Sequence, residues 1–278
     1  RLPSALGAAL MAAFLAWTGC RWFGSAAGWV AGLGSFLLLA LWHQNRSADI
    51  DSLNTLATCI AALAVVETGF ARGGIRAGWS LLAAVGFIAV ALLKGPAGLL
   101  LVMGAYVGVG VSRGRWRWLL HPTAWVPVLA GVGAFILWVW AVQARIGPED
   151  VGINTSGFYE AGARLFAWRR LGKALLVIPL FILFSMPVSL TLVFLPQLGK
   201  QRAQGSSAAD LPKSFGRVIA AVVAMAMGLL IYVVNGVDNP RYTYPAMALM
   251  PLAAAACAYA ARRGMPDTAK CRRLLSVA

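Results

Sequence analysis

Acidic residues are scarce in this chain. Only 9 of its 278 residues are Asp or Glu, against 24 Lys and Arg, and charged residues together make up 12%. A soluble globular domain carries about a quarter charged residues, so an ordinary water-soluble fold is excluded. Histidine is limited to His43 and His121, and cysteine to Cys20, Cys59, Cys257 and Cys271. No CxxC pair and no Cys/His run with metal-ligand spacing occurs, which argues against a disulfide framework and a zinc site. The opening residues lack the basic, apolar, small-residue order of a secretory leader, so no signal peptide is expected there.

What is present is apolar. Hydrophobic residues make up 60% of the chain, and the mean hydropathy is +0.75. The expected fold class is all-α, a polytopic transmembrane helical bundle. Apolar runs between polar breaks give about nine spans. They are Ala5–Thr18, Phe23–Leu41, Ile50–Val66, Ala77–Leu93, Ala97–Val111, Leu119–Val142, Leu175–Leu195, Val218–Val234 and Tyr244–Ala261. Several are rich in Gly and Ala, which lets membrane helices approach closely. Trp22, Trp42, Trp79, Trp116, Trp118 and Trp140 lie near span ends, as an aromatic belt requires.

Assigning loops alternately to two sides segregates the charge. One side receives 15 basic and three acidic residues, a net of +12; the other receives nine basic and six acidic residues, a net of +3. The positive-inside rule makes the first side cytoplasmic. Topology therefore accounts for the overall charge of +15, and nucleic acid is not an expected partner, because the basic residues are spread over separate loops. The expected location is the inner (plasma) membrane, with the C-terminal basic tail, residues 262–278, cytoplasmic. One long outer loop, residues 144–173, is expected between the sixth and seventh spans.

The outer side carries the chemistry-bearing residues. Lys94 stands in ALLKGPAGLL, where a positive charge at membrane depth costs roughly 2.5–3.5 kcal/mol on insertion scales. Gly95 and Pro96 break the helix at once and leave the ammonium at a helix end; a snorkelling lysine is the plainer reading. HQNRSADID brings Arg46, Asp49 and Asp51 to the start of the third span, where a helix cap is the plainer reading of both acids. The long loop supplies Glu160 and Arg164, and loops of that length are usually functional or disordered. DNPRYTYP supplies Arg241, Tyr242 and Tyr244 between the last two spans, where the tyrosines also suit an interface anchor. Lys94, Arg241, Arg46 and Arg164 together form a candidate cationic pocket for a phosphate on a lipid carrier, since arginine contacts phosphate oxygens in a bidentate way and lysine adds a compact charge.

These segments resemble the GT-C superfamily of integral-membrane glycosyltransferases, in particular the branch of aminoarabinose transferases and protein O-mannosyltransferases. RSADID is similar to that family's arginine-to-aspartate segment and puts Asp51 at its aspartate. ALLKGPAGLL is similar to its lysine-glycine-proline motif. SMPVSL, from Ser185, resembles a late proline motif in which Val188 stands where tryptophan is usual. NPRYTYPAMALMPLAA, from Asn239, resembles its last outer turn. The resemblance implies an inverting glycosyltransferase that moves a sugar from a polyprenyl-phosphate donor to a lipid, protein or glycan acceptor outside the cytoplasm. It implies donor-phosphate contacts from Lys94, Arg241, Tyr242, Tyr244 and Arg46, and sugar or acceptor contacts from Asp51, Asp49, Glu160 and Arg164. It names no certain cofactor and leaves room for a divalent metal. The family's catalytic base lies in a first outer loop, so the chain is expected to be an N-terminally truncated single domain, residues 1–278, without the family's first span and first outer loop, its base upstream of residue 1. Two rivals remain at this point: a transporter or flippase of lipid-linked substrates, and a non-catalytic envelope scaffold. Transport would call for ionisable groups at mid-membrane around a through-going cavity.

Overall fold

A computed structural model describes residues 2–38, 51–94, 99–114, 116–146, 179, 181, 183, 185, 188, 211–234 and 244–264. Every regular element among the described residues is helical. In chain order these are α1 (Leu2–Phe23), α2 (Ser25–Leu37), α3 (Asp51–Phe70), α4 (Gly73–Lys94), α5 (Leu99–Arg113), a 3₁₀ turn (Trp116–Leu120), α6 (Pro122–Ile146), α7 (Leu211–Val234), the short α8 (Tyr244–Met247) and α9 (Met250–Gly264).

Among the described residues four helices are long and apolar enough to cross a bilayer: Leu2–Phe23, Asp51–Phe70, Gly73–Leu93 and Pro122–Arg145. Each has at least the roughly 20 residues that a hydrocarbon core about 30 Å thick demands. Shorter apolar helices lie at Ser25–Leu37, Leu101–Ser112, Ser214–Leu230 and Tyr244–Tyr259, overlapping four further runs expected as spans. The expected first span lengthens to Phe23, and the break before the second falls at Gly24. Gly24 has φ +94°, a conformation that costs any residue with a Cβ, and its N–H donates to the Cys20 carbonyl at 2.8 Å. The expected span Leu175–Leu195 lies largely outside the described residues.

α3 is the hub. In its apolar window 83% of residues are buried, against 11% for α6, which lies at the periphery with Leu129, Ile136, Leu137 and Trp140 facing outward. Small residues set the spacing around the hub. A Cβ at Gly86 of α4 would stand 2.9 Å from Ala61 of α3, and one at Gly108 of α5 would stand 2.5 Å from the Ala220 carbonyl of α7. Without a hydrophobic driving force between helices in lipid, such close backbone approach is what holds them together.

Contact pairs fix the helix directions. Gly7 meets Ser52 and Leu53 at one end of α3, while Trp22 bonds Glu67 at the other, so α1 and α3 run parallel. Gly86 against Ala61 makes α4 antiparallel to α3. Ser80 donates to the Thr123 carbonyl and Gly131 meets Phe87, so α6 runs parallel to α4. Gly104 and Gly108 meet Ala224 and Ala220, so α7 is antiparallel to α5. Gly34 of α2 packs on Pro251 and Phe23 on Tyr259, so α9 starts at the Asp51 end. The bundle thus has an Asp51 end and a Glu67 end. α6 finishes at the first and α7 begins at the second.

Candidate functional site

At the Asp51 end, α3 opens with a polar stripe. Asp51, Asn54, Thr55 and Thr58 follow the i, i+3, i+4, i+7 spacing that puts side chains on one helix face. All are buried, at 4%, 4%, 1% and 0% exposure, and Ser52 beside them is at 3%. Burial of this kind is costly unless each group finds a partner. Thr58 does: its hydroxyl donates to the Asn54 carbonyl at 2.7 Å. Thr18, Thr68 and Ser185 bond the carbonyl four residues back in the same way. Asn54 Oδ1 and Thr55 Oγ1 have no hydrogen-bond partner.

Neighbouring helices close around this stripe. α1 meets α3 beside it, with Gly7 against Ser52 and Leu53, and Ser4, one turn earlier, is 3% exposed. α8 packs against α3, with Tyr244 only 7% exposed. α4, antiparallel to α3, ends at Lys94, so the chain brings Lys94 to the same end. Three candidate residues, Asp51, Lys94 and Tyr244, therefore come from three separate helices to one end of the bundle. Tyr244 is buried in the helical core instead of lying at an exposed interface. Arg46, Asp49, Glu160, Arg164, Arg241 and Tyr242 lie outside the described residues, as does the side chain of Lys94. Among the described residues no group of three or more His, Cys, Asp or Glu could hold a metal.

The Glu67 end holds a constellation that loop-by-loop reading misses. Glu67 is 2% exposed near the end of α3. Trp22 Nε1 donates to its Oε1 at 2.6 Å, and Arg217 Nη2 donates to Oε2 at 3.2 Å. Arg217 Nε also lies 2.9 Å from Oε1. That N–H is not directed at the carboxylate and makes no hydrogen bond, so the close approach is ionic. The Arg217 guanidinium rests 5.4 Å from the Phe70 ring centroid. Arg21 Nη2 stands 3.9 Å from Oε2, its guanidinium over the rings of Trp17 and Trp79 at 5.6 and 5.3 Å. One carboxylate thereby ties α1, α3 and α7. The available signal was an acid near the end of an apolar helix, on the side where basic residues outnumber acids 15 to three.

The charge division appears in the bundle itself. Arg21, Arg72, Arg76, Arg113, Arg117, Arg217, Arg262 and Arg263 lie at the Glu67 end, while Lys94 and Arg145 end their helices at the other. No family model matches the chain, and no curated protein or solved structure matches it either.

Proposed function

We propose that this chain is a membrane glycosyltransferase-like protein that binds a polyprenyl-phosphate-linked sugar at the Asp51 end of its bundle and passes the sugar to a lipid, protein or glycan acceptor there. The observation that carries the reading is the arrival of Lys94, Asp51 and Tyr244 at one end from three different helices. The resemblance of RSADID, ALLKGPAGLL and NPRYTYPAMALMPLAA to the GT-C superfamily supplies the reaction class. A span at Leu175–Leu195 would carry the chain from the end of α6 to the start of α7 at the opposite end. The positive-inside rule turns the arginine-rich Glu67 end toward the cytoplasm of the plasma membrane and the Asp51 end away from it.

In this reading the lipid phosphate is both the docking group and the leaving group. Its charge grows as the anomeric bond breaks, and fixed cations stabilise that growth. Lys94 supplies one, with Arg241 and Arg46 as further donors and Tyr242 and Tyr244 as hydroxyl partners. Asp51 and Asp49 orient the sugar or hold a neighbouring cation, and Glu160 and Arg164 face the acceptor. A carboxylate takes the acceptor proton. Among the described residues, ionisable side chains sit toward helix ends, an arrangement that favours a headgroup site over a through-membrane path.

The test is binding in nanodiscs of neutral lipid. Polyprenyl phosphate should bind the wild type well above neutral polyprenol, and Lys94→Ala should weaken that binding by roughly 10- to 100-fold, the worth of one hydrogen bond to a charged group. Lys94→Arg should retain most of it. Equal affinity for phosphate and alcohol, or an unchanged Lys94→Ala, overturns the assignment.

A further inference from the structure

The polar stripe of α3 contains two groups that the fold leaves without partners, and it leaves them in a place where the cost is highest. Asn54 is 4% and Thr55 1% exposed, and Asn54 Oδ1 and Thr55 Oγ1 make no hydrogen bond. Buried polar atoms are nearly always satisfied, so such a pair calls for an explanation. Thr55 is the more telling. A threonine inside an apolar helix has a ready acceptor in the carbonyl four residues earlier. Thr18, Thr58 and Thr68 all use theirs, at 2.7–2.8 Å. Thr55 does not bond the Asp51 carbonyl, although it lies in the same helix one turn from Thr58.

Both groups lie on the face of α3 that starts with Asp51, at the end where α8 and the terminus of α4 meet it. Asn54 Oδ1 accepts and Thr55 Oγ1 can donate or accept. A ligand hydroxyl matches both, because it donates through hydrogen and accepts through oxygen. Two hydroxyls of one sugar ring can serve the two groups separately, one donating to Asn54 Oδ1 and the other donating to or accepting from Thr55 Oγ1. A carboxylate or phosphate does not match, since Asn54 Oδ1 would face another acceptor.

We infer that Asn54 and Thr55 are the sugar-recognising residues of this chain, taking hydroxyls of the glycosyl group, one helical turn inward from Asp51. The inference rests on the reading of the Asp51 end as a lipid-linked sugar site, and it deepens that reading by separating the two parts of the ligand. Phosphate recognition belongs to Lys94 and its companions at the mouth, and sugar recognition to the stripe. These are positioning and specificity residues, with no part in bond breaking.

The experiment uses the full chain in neutral-lipid nanodiscs with two probes: polyprenyl phosphate, and the same lipid phosphate carrying arabinose or mannose. The wild type should prefer a glycosylated probe. Thr55→Val, which keeps the shape, and Asn54→Leu should each reduce that preference by about 5- to 10-fold, the scale of one net neutral hydrogen bond, and leave affinity for the bare lipid phosphate unchanged. Lys94→Ala should do the opposite, lowering both affinities together. Both stripe variants should also unfold no more easily than the wild type without ligand, because each removes an unsatisfied buried atom. Retention of full sugar preference in Thr55→Val and Asn54→Leu overturns the inference, and the stripe is then satisfied by buried water alone. Loss of bare-phosphate binding in these variants overturns it too, since the residues would then shape the whole site. A wild type that binds neither probe sinks the parent reading, a result distinct from either of these.

Discussion

Replacing Glu67 by glutamine tests the ionic centre of the bundle. The side chain of Glu67 is 3% exposed and that of Arg217 is 17% exposed. Two opposite charges about 3 Å apart attract by roughly 5 kcal/mol at an effective dielectric of 20, before desolvation is subtracted. Removing one partner of a buried pair costs about 3–5 kcal/mol, because the other charge stays behind unpaired. Glu67→Gln keeps the acceptor for Trp22 Nε1, and Arg217 keeps some solvent and the Phe70 ring. The expected loss is therefore at the low end, about 3 kcal/mol. Arg21, with its side chain 42% exposed and 3.9 Å away, adds under about 1 kcal/mol. Arg217→Met should cost at least as much as Glu67→Gln, because it strands a fully buried anion. The double variant Glu67→Gln/Arg217→Met should recover about 2 kcal/mol of the summed losses. Steric trapping in bicelles measures unfolding free energy for all four proteins. A coupling below about 0.5 kcal/mol would refute the idea that this pair holds α3 to α7.

Other outcomes follow from single contacts. Tyr106 donates to the Ala124 carbonyl at 2.7 Å in the core, so Tyr106→Phe should destabilise by about 1 kcal/mol in the same trapping assay. Gly108→Val would drive a side chain into the Ala220 backbone 2.5 Å from the Cβ position, and a cost of about 3 kcal/mol or failure to fold is expected. Gly24→Ala meets nothing within 4 Å but keeps φ +94°, so its cost, about 1–3 kcal/mol, comes from the backbone alone. Asp51→Asn should weaken binding of the glycosylated lipid less than Lys94→Ala does; an undiminished affinity would leave the carboxylate as a helix-start residue only. For orientation, Arg72→Cys in a cysteine-free background should react with an impermeant maleimide only from the cytoplasmic side, because Arg72 is exposed in the turn between α3 and α4.

The apolar runs were legible because bilayer thickness converts length and hydropathy directly into helices. Four of the runs carry described helices long and apolar enough to cross a bilayer, and α4 ends at Lys94, where Gly95 and Pro96 follow in the sequence. Side-by-side charge counting also foresaw which helix ends share a face, since loops alternate whenever spans do. Asp51 reads as a polar entry to an apolar run and opens α3, but SLNTLATC reads as part of that run. Only the packed helix reveals that Asn54 Oδ1 and Thr55 Oγ1 are buried without hydrogen-bond partners, whereas Thr58 satisfies itself.

Glu67 shows the same division between local and tertiary information. In the linear chain it is one acid among arginines, a minor term in a topology count. The arginine that holds it lies 150 positions away, and the tryptophan lies 45 positions away. Composition and hydropathy determined that this chain folds as membrane helices and which ends carry the charge, because those properties depend on each segment's own transfer from water to lipid. The partners of Glu67 were settled only when glycine and alanine faces let α1, α3, α4, α5 and α7 close on one another, because the bonds it makes to Trp22 and Arg217 act over a few ångströms and no one helix carries both halves of them.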